Sequence, residues 1–340
     1  MRGMRSVHVY DSVAELPSEA LTALGIGGLF SSAAWWGVVE KHAVPAGASA
    51  GYVVVAQDDA AIGVVPILRR GRRIDALTTP YTCVYTPVVT EAAAESFGRA
   101  CRGGGVCRID SIPMEWDDLA PFLAGARRAG LVPLRFDHFG NWSQDVRDMG
   151  WNAYLAARPG ALRETIRRRL RQAEKLAGAR FDILGAPAEM DRAAAVYEDV
   201  YARSWKTPEP FPSFNVALMR AMADQGVLRL GVWSIDATPV AVQMWIVWDG
   251  EAIVLKLAHD EAFKAHSPGT VLTALMLRHL LDQEAVRRID FGRGDDSYKQ
   301  GWVSERRQRI GFLLTNPWHP RGLAELGHAA AGRIRRALRR

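Results

Sequence analysis

The sequence predicts a mixed α/β protein of two domains, each built on a mixed, mostly antiparallel sheet flanked by helices. Three observations lead there. The chain has 340 residues, 49% hydrophobic and 24% charged, enough apolar material for two cores. Within 227–302, three β-type runs are followed by a Pro-Gly loop, a helical run and one more short strand. That order makes a meander feeding a crossover helix into a parallel neighbour. Finally, Arg158-Pro159-Gly160 interrupts the chain, and Pro with Gly punctuates structure.

The elements follow in order. Residues 27–42 read as a loop feeding a short helix with Trp35 and Trp36. Residues 51–57 and 61–69 are β-type runs around Asp58-Asp59, a hairpin signal, and 74–77 and 84–89 extend that sheet. A helix over 91–101, a strand over 107–112, a helix over 116–129 and strands over 131–137 and 151–155 complete the first half. After the break, 161–176 is a helix carrying Arg163, Arg167, Arg168, Arg169, Arg171 and Lys175. A strand over 181–184 follows, then a helix over 190–205 whose Ala193, Val196, Tyr197, Val200 and Tyr201 form a 3.6-period stripe. A helix over 214–223 leads to strands over 227–233, 238–248 and 251–258; the chain continues with a helix over 269–281 and strands over 288–291 and 308–314.

Composition narrows the function. The net charge is +6, but residues 321–340 hold six arginines against Glu325, leaving only +1 for the rest. The pI of about 9.4 therefore reports the tail and gives little support to nucleic-acid binding by the body of the fold. Cys83, Cys101 and Cys107 match no metal spacing and read as reduced thiols of a cytoplasmic protein. The basic N-terminus lacks an apolar segment behind it, which argues against secretion, and no run reaches the ~18 apolar residues of a membrane span.

Two clusters suit chemistry. In His266-Ser267-Pro268-Gly269-Thr270, a strand end passes through Pro-Gly into a helix. The amides of Gly269, Thr270 and Val271 would be first-turn donors, able to seat a pyrophosphate, with the Thr270 hydroxyl beside them. The alternative is an ordinary cap at Ser267. The second cluster, Asp290-Phe291-Gly292-Arg293-Gly294-Asp295-Asp296-Ser297-Tyr298-Lys299, ends a strand in tight turns. There a Tyr phenol can protonate a leaving thiolate and an Asp can take a proton from an amine; a capped turn is the structural alternative. A calcium loop would need further oxygen ligands, so no metal is expected. Trp205 suits the wall of an acceptor pocket or simple core packing, and Lys299 is a further acceptor contact. His259 lacks the partners of a metal or triad arrangement, whereas Asp260 suits orienting an acceptor. The basic helix 161–176 offers a solvated face or a contact for a nucleotide 3′-phosphate, an anionic carrier or tRNA. The tail offers a contact for an anionic membrane surface, or a solubilising helix.

Taken together, Tyr201-Ala202-Arg203-Ser204-Trp205, Pro239-Val240-Ala241, Ala258-His259-Asp260, Ser267-Pro268-Gly269 and the Asp290–Lys299 cluster resemble the GNAT superfamily of acyltransferases, in the bacterial branch called CelD-like or FemAB-like. The resemblance covers 161–314. Phe30-Ser31-Ser32 with Trp35 resembles the companion domain of such chains. It implies two tandem GNAT-like domains, an N-terminal degenerate one over 1–157 and a C-terminal acyltransferase over 158–318, followed by a basic tail over 319–340. It further implies transfer of an acyl group from acyl-CoA (acetyl-CoA) by direct attack to an amine of a small molecule or of a glycan or lipid precursor, with envelope or polysaccharide biosynthesis as one setting. A backbone amide near Leu257 would polarise the thioester carbonyl, Asp260 or Asp296 would deprotonate the acceptor, and Tyr298 would protonate the leaving group. The family's Arg/Gln-x-x-Gly-x-Gly/Ala loop falls on His266, Gly269 and Val271, where only the central glycine is kept. That departure keeps open a FemAB-like transferase using aminoacyl-tRNA and a catalytically inactive GNAT-fold binding module. The cysteine usage and the lack of an apolar leader place the protein in the cytoplasm, and the basic tail adds a peripheral position at the inner face of the membrane as an option.

Overall fold

A computed structural model describes residues 5–58 and 60–337, with side chains through 332. The chain divides into two units, Met1–Phe139 with Gln308–Arg340, and Gly140–Arg307.

In the first unit, β1 (Arg5–Tyr10) precedes α1 (Ser18–Gly25) and α2 (Ala33–His42). The hairpin expected around Asp58-Asp59 is made by β2 (Ser49–Gln57) and β3 (Ala60–Arg70), Asp59 itself lying outside the described residues. With β4 (Arg73–Ala76), strands β1-β2-β3-β4 form an antiparallel sheet. Only β5 (Val88–Val89) remains of the strand expected over 84–89, and it pairs with β3. Next come α3 (Glu91–Cys101), β6 (Val106–Pro113), α4 (Leu119–Arg128) and the start of β7 (Val132–Asp145). Trp35, Tyr52, Phe97 and Phe122 are fully buried there. The three cysteines are buried thiols outside any disulfide.

The second unit opens with the end of β7 and α5 (Trp151–Ala156), a helix where a strand was expected. Its N-terminus explains the difference: the Trp151 amide donates to Asp282 Oδ1 at 2.7 Å, a cap supplied from 131 residues away. Then follow α6 (Gly160–Glu174), β8 (Arg180–Leu184), α7 (Met190–Ala202), α8 (Phe214–Asp224), β9 (Leu228–Ile235), β10 (Thr238–Trp248), β11 (Glu251–His259), α9 (Pro268–Asp282), β12 (Arg288–Arg293) and α10 (Lys299–Trp302). Strand order is β7-β12-β11-β10-β9-β8, all antiparallel except β11 with β12. The core holds Trp233, Trp245, Leu272, Met276, Leu277 and Ile289. The chain returns to the first unit through β13 (Glu305–Thr315), which pairs with β6, and α11 (Pro320–Ala337).

The break at Arg158-Pro159-Gly160 lies inside the second unit, and the units divide instead at 139/140 and 307/308. Pro159 serves as the N-cap of α6. Arg158, 6% exposed, donates to Trp302 O at 2.5 Å while its guanidinium stacks 4.5 Å from the Tyr154 ring, so the segment is tied into the core. Residues 308–337, with the tail, group with the first unit. Of the tail arginines, Arg339 and Arg340 lie outside the described residues, as does the basic stretch Met1–Met4.

Candidate active site

β11 and β12 run in register only at Glu251–Arg288, Ala252–Ile289 and Ile253–Asp290, and part beyond that point. β11 continues alone along β10 to His259. The register shifts there from Trp245–Val254 to Met244–Lys256, leaving Leu255 as an extra residue that bends the strand. Alternation then sets Leu257 and His259 on one face and Lys256 on the other. A cleft of about 830 Å³ opens on the Leu257 face, walled among others by Trp205, His259, Gly269, Thr270 and Tyr298.

Helix α9 starts at this cleft. Ser267 occupies the left-handed region (φ 53°, ψ 52°) and its hydroxyl does not cap the helix. Its carbonyl instead accepts from the Val271 amide at 3.1 Å. Pro268 has no N–H to place. Among the described residues, no hydrogen bond engages the amides of Gly269 and Thr270. Two expected donors thus stand at the cleft and the third does not: the Val271 amide is spent in the helix and its side chain is 1% exposed, in the core. His266 also departs from expectation. It sits exposed on the 3₁₀ turn Glu261–His266, its ring 6.4 Å from Phe263, and Lys264 is the turn's basic wall of the cleft.

The first turn of α9 is anchored from below. Gln243, 1% exposed on β10, donates to Thr273 Oγ1 at 2.6 Å and to Gly269 O at 3.4 Å. Its Oε1 accepts from Trp245 Nε1 at 2.9 Å. Satisfied buried polar groups of this kind fix geometry, because every alternative leaves one unpaired. Gly269 also keeps space open: a Cβ there would lie 3.5 Å from His259 Nδ1 and 3.8 Å from Leu257 Cδ1.

His259 is a residue that sequence reasoning underrated. Its Nδ1 is buried without a hydrogen-bond partner, and its Nε2 lies 3.4 Å from Glu261 Oε1. Burial, outweighing the nearby Glu261 and Asp260 carboxylates, lowers its pKa and favours the neutral ring. The available signal was the strand alternation that puts it beside Leu257. Asp260 is committed elsewhere: it forms an ion pair with Arg203, and its Oδ1 caps the next turn through the Ala262 amide at 2.9 Å. Arg203 also donates to Pro239 O at 3.0 Å, so Asp260 ties α7 to β10.

The second cluster folds as a stapled turn. Gly292 (φ 64°) and Gly294 (φ 105°) take left-handed conformations that a side chain would strain. The buried Asp290 carboxylate accepts from Gly292 N at 2.6 Å and Asn141 Nδ2 at 2.7 Å. Lys299, expected to contact substrate, is instead 3% exposed. Its Nζ donates to Arg293 O at 2.7 Å and Gly294 O at 3.3 Å and pairs with Asp296 at 3.1 Å. All three ammonium protons are used, so Lys299 holds the turn. Asp296 lies at the surface, its side chain 62% exposed. Tyr298 is 45% exposed and edges onto Phe291 at 6.4 Å. Desolvation, then the Asp296 charge, push its phenol up to about 12, so it keeps its proton at neutral pH. Trp205, 51% exposed, packs at a tilt against His259. Among the described residues no three His, Cys, Asp or Glu side chains gather as metal ligands, and no helix is long and apolar enough to cross a membrane.

Residues 160–300 match the family described as Acetyltransferase (GNAT) domain. This segment, which contains both clusters, belongs to the GNAT superfamily. Among solved structures, FemX aligns at a TM-score of 0.55 with 11% identity, over 82% of this chain and 94% of that one. L-PGS from Bacillus licheniformis aligns at 0.54 with 13% identity, over 95% and 94%. A tandem GNAT protein from the clavulanic acid biosynthesis pathway aligns at 0.52 with 14% identity, over 92% and 99%. At these identities the likeness is one of fold, and it is to tandem GNAT architecture. No curated protein sequence matches the chain.

Proposed function

We propose that the protein is an N-acyltransferase that moves an acyl group from acyl-CoA, acetyl-CoA in the simplest case, to an amine by direct attack. One observation carries this reading: the unengaged amides of Gly269 and Thr270 open into the same cleft that Tyr298 lines. A helix start with free N–H groups is an anion seat, and a cleft of about 830 Å³ is large enough for an extended nucleotide-bearing donor. The donor, when bound, supplies an acyl carbon activated as a thioester. Gly269 and Thr270 hold its diphosphate, and the missing Cβ of Gly269 lets it lie close to β11. The β11 backbone near Leu257, beyond its last β12 partner, faces the acyl oxygen. His259, its ring neutral on the cleft wall, takes a proton from the incoming amine. Tyr298 holds a proton for the departing group, and Asp296 tunes it from the rim. Asp260 acts through Arg203 as a positioning residue. An amine on an envelope or polysaccharide precursor is the acceptor class the family resemblance points to.

The reading is tested by Tyr298→Phe, with acetyl-CoA binding measured alongside turnover on an amine panel. Turnover should fall about 10²-fold or more with donor binding unchanged. A fully active variant removes Tyr298 from the role, and absence of acetyl-CoA binding by the wild type removes the donor.

A specific observation favours a second reading, a transferase using aminoacyl-tRNA. Arg168 and Arg171 on α6 and Lys175 at its C-cap lie along one stripe, exposed and without a carboxylate partner among the described residues. Cations so spaced suit a phosphate backbone. The C-terminal segment supports contact with an anionic membrane surface, since Trp318 and Leu323 are 83% and 63% exposed on either side of Arg321.

A further inference from the structure

Exposed apolar side chains gather at one end of the first unit. Val132 is 38% exposed at the start of β7, and Trp318 and Leu323 stand out further where β13 gives way to α11. Local bonds hold the three together. The Thr315 hydroxyl donates to Val132 O at 2.8 Å, and the Trp318 amide donates to Asn316 Oδ1 at 3.1 Å. Along α11 as far as Gly332 the exposed positions are Arg321, Leu323, Ala324, Gly327, His328 and Ala330, while Glu325 is half-buried. Single exposed apolar residues need no explanation, but a group of them beside one sign of charge marks an interaction surface.

That charge comes from two neighbouring turns. Asn316 ties the segment to the turn Arg102–Gly104: its amide donates to Gly105 O at 2.8 Å and its Nδ2 to Arg102 O at 3.2 Å. The same turn packs on the β3–β4 hairpin, so closely that a Cβ at Gly104 would come 2.9 Å from Arg72 O and one at Gly103 3.4 Å from Arg72 Nη2. On the hairpin the buried Asp75 pairs with Arg70 at 3.3 Å and Arg73 at 2.8 Å, and it accepts from the Arg108 amide at 2.8 Å. Its charge is thereby spent. Arg72, Arg102 and Arg321 are exposed and have no carboxylate partner among the described residues. Three uncompensated cations therefore border the exposed indole and aliphatic carbons, and α11 runs on through Arg333, Arg335 and Arg336 in the sequence.

We propose that this end of the first unit is a docking surface for an anionic lipid bilayer, with Val132, Trp318 and Leu323 entering the boundary between headgroups and acyl chains and Arg72, Arg102 and Arg321 lying against lipid phosphates. An indole suits that boundary because its body is apolar and its N–H polar. Cations beside it hold the face to a negatively charged leaflet, and the apolar and electrostatic contributions add. Val132 and Leu323 offer a nucleic-acid strand neither a hydrogen bond nor a stacking plane, so the observations favour lipid. The surface is not a property of the C-terminal segment alone, because Arg72, Arg102 and Val132 belong to the folded body of the unit. It draws only its purpose from the acyltransferase reading, since an amine carried by a lipid precursor is presented at such a leaflet.

The test is co-sedimentation of the full chain with vesicles of equal parts phosphatidylglycerol and phosphatidylcholine, and with phosphatidylcholine alone, beside calorimetric titration with acetyl-CoA. The wild type should pellet with the anionic vesicles and stay in solution with the neutral ones. Arg72→Ala and Arg102→Ala should each weaken partitioning about fivefold. Trp318→Ala combined with Leu323→Ala should weaken it about tenfold or more. All of these proteins should bind acetyl-CoA as the wild type does. A wild type that ignores anionic vesicles overturns the surface. So do Arg72→Ala and Arg102→Ala proteins that pellet like the wild type, a result that leaves contact to the tail alone. Binding of single-stranded RNA of random sequence, weakened by the same substitutions and without vesicle binding, gives the face to nucleic acid and overturns the proposal as well. Absence of acetyl-CoA binding with vesicle binding retained sinks the donor reading and leaves the surface standing.

Discussion

The imidazole of His259 packs against the indole of Trp205, ring centroids 4.4 Å apart and planes inclined by 45°. The indole covers the ring and contributes to the desolvation that lowers its pKa. If neutral His259 takes the proton from the amine, activity should rise with pH through a midpoint below the ordinary value of about 6.5. Trp205→Ala exposes the ring and should move that midpoint upward. A pH profile of kcat/KM for the two proteins checks this; coincident midpoints would separate the profile from His259.

The same group makes stability depend on pH. Its folded-state pKa lies below the unfolded one, so the unfolded chain binds more protons in the window just below about 6.5. His259 should therefore contribute stability above that window and lose it as pH falls through it. In His259→Gln, urea unfolding followed from pH 7.5 to 5.5 should show a shallower loss than in the wild type.

Gly269→Ala separates fold from function. The new Cβ meets its neighbours at 3.5 and 3.8 Å, ordinary contact distances, and alanine favours a helix over glycine by roughly 0.5–1 kcal/mol. Thermal stability should hold or rise. Acetyl-CoA affinity should fall about tenfold, ~1.4 kcal/mol, because the added carbon occupies the donor's seat. Paired calorimetry and thermal unfolding read both, and unchanged affinity would argue against a donor lying over that turn.

Lys299→Met should behave in the opposite way. It leaves the carbonyls of Arg293 and Gly294 without their buried donor, which costs about 1–3 kcal/mol. Acetyl-CoA binding should persist while turnover falls, because the turn carrying Tyr298 loosens. A Lys299→Met protein as stable as the wild type would remove the staple from the account.

Much of the second unit is legible in the sequence because its signals are local. Alternation and short turns mark β9, β10 and β11, and Pro268-Gly269 marks the start of α9. What is not legible depends on distant partners. The apolar run from Trp151 to Ala156 suits a strand as well as a helix, and Asp282 decides it. Lys299 reads as a free cation until Gly292 and Gly294 turn two carbonyls onto its ammonium. Asp260 reads as a free acid because Arg203 lies 57 residues earlier. His259 shows the converse: its neighbours in the chain are uninformative, and its importance comes from Trp205 and Gly269 meeting it in space.

The most direct measurement is hydrogen exchange of the amides of Gly269 and Thr270, followed by mass spectrometry on peptides spanning 266–272, with and without saturating acetyl-CoA. Unbonded first-turn amides should exchange fast in the free protein and slow markedly when the donor's phosphates accept from them. Unaltered exchange at these amides in the presence of bound acetyl-CoA would contradict the seat proposed at the start of α9.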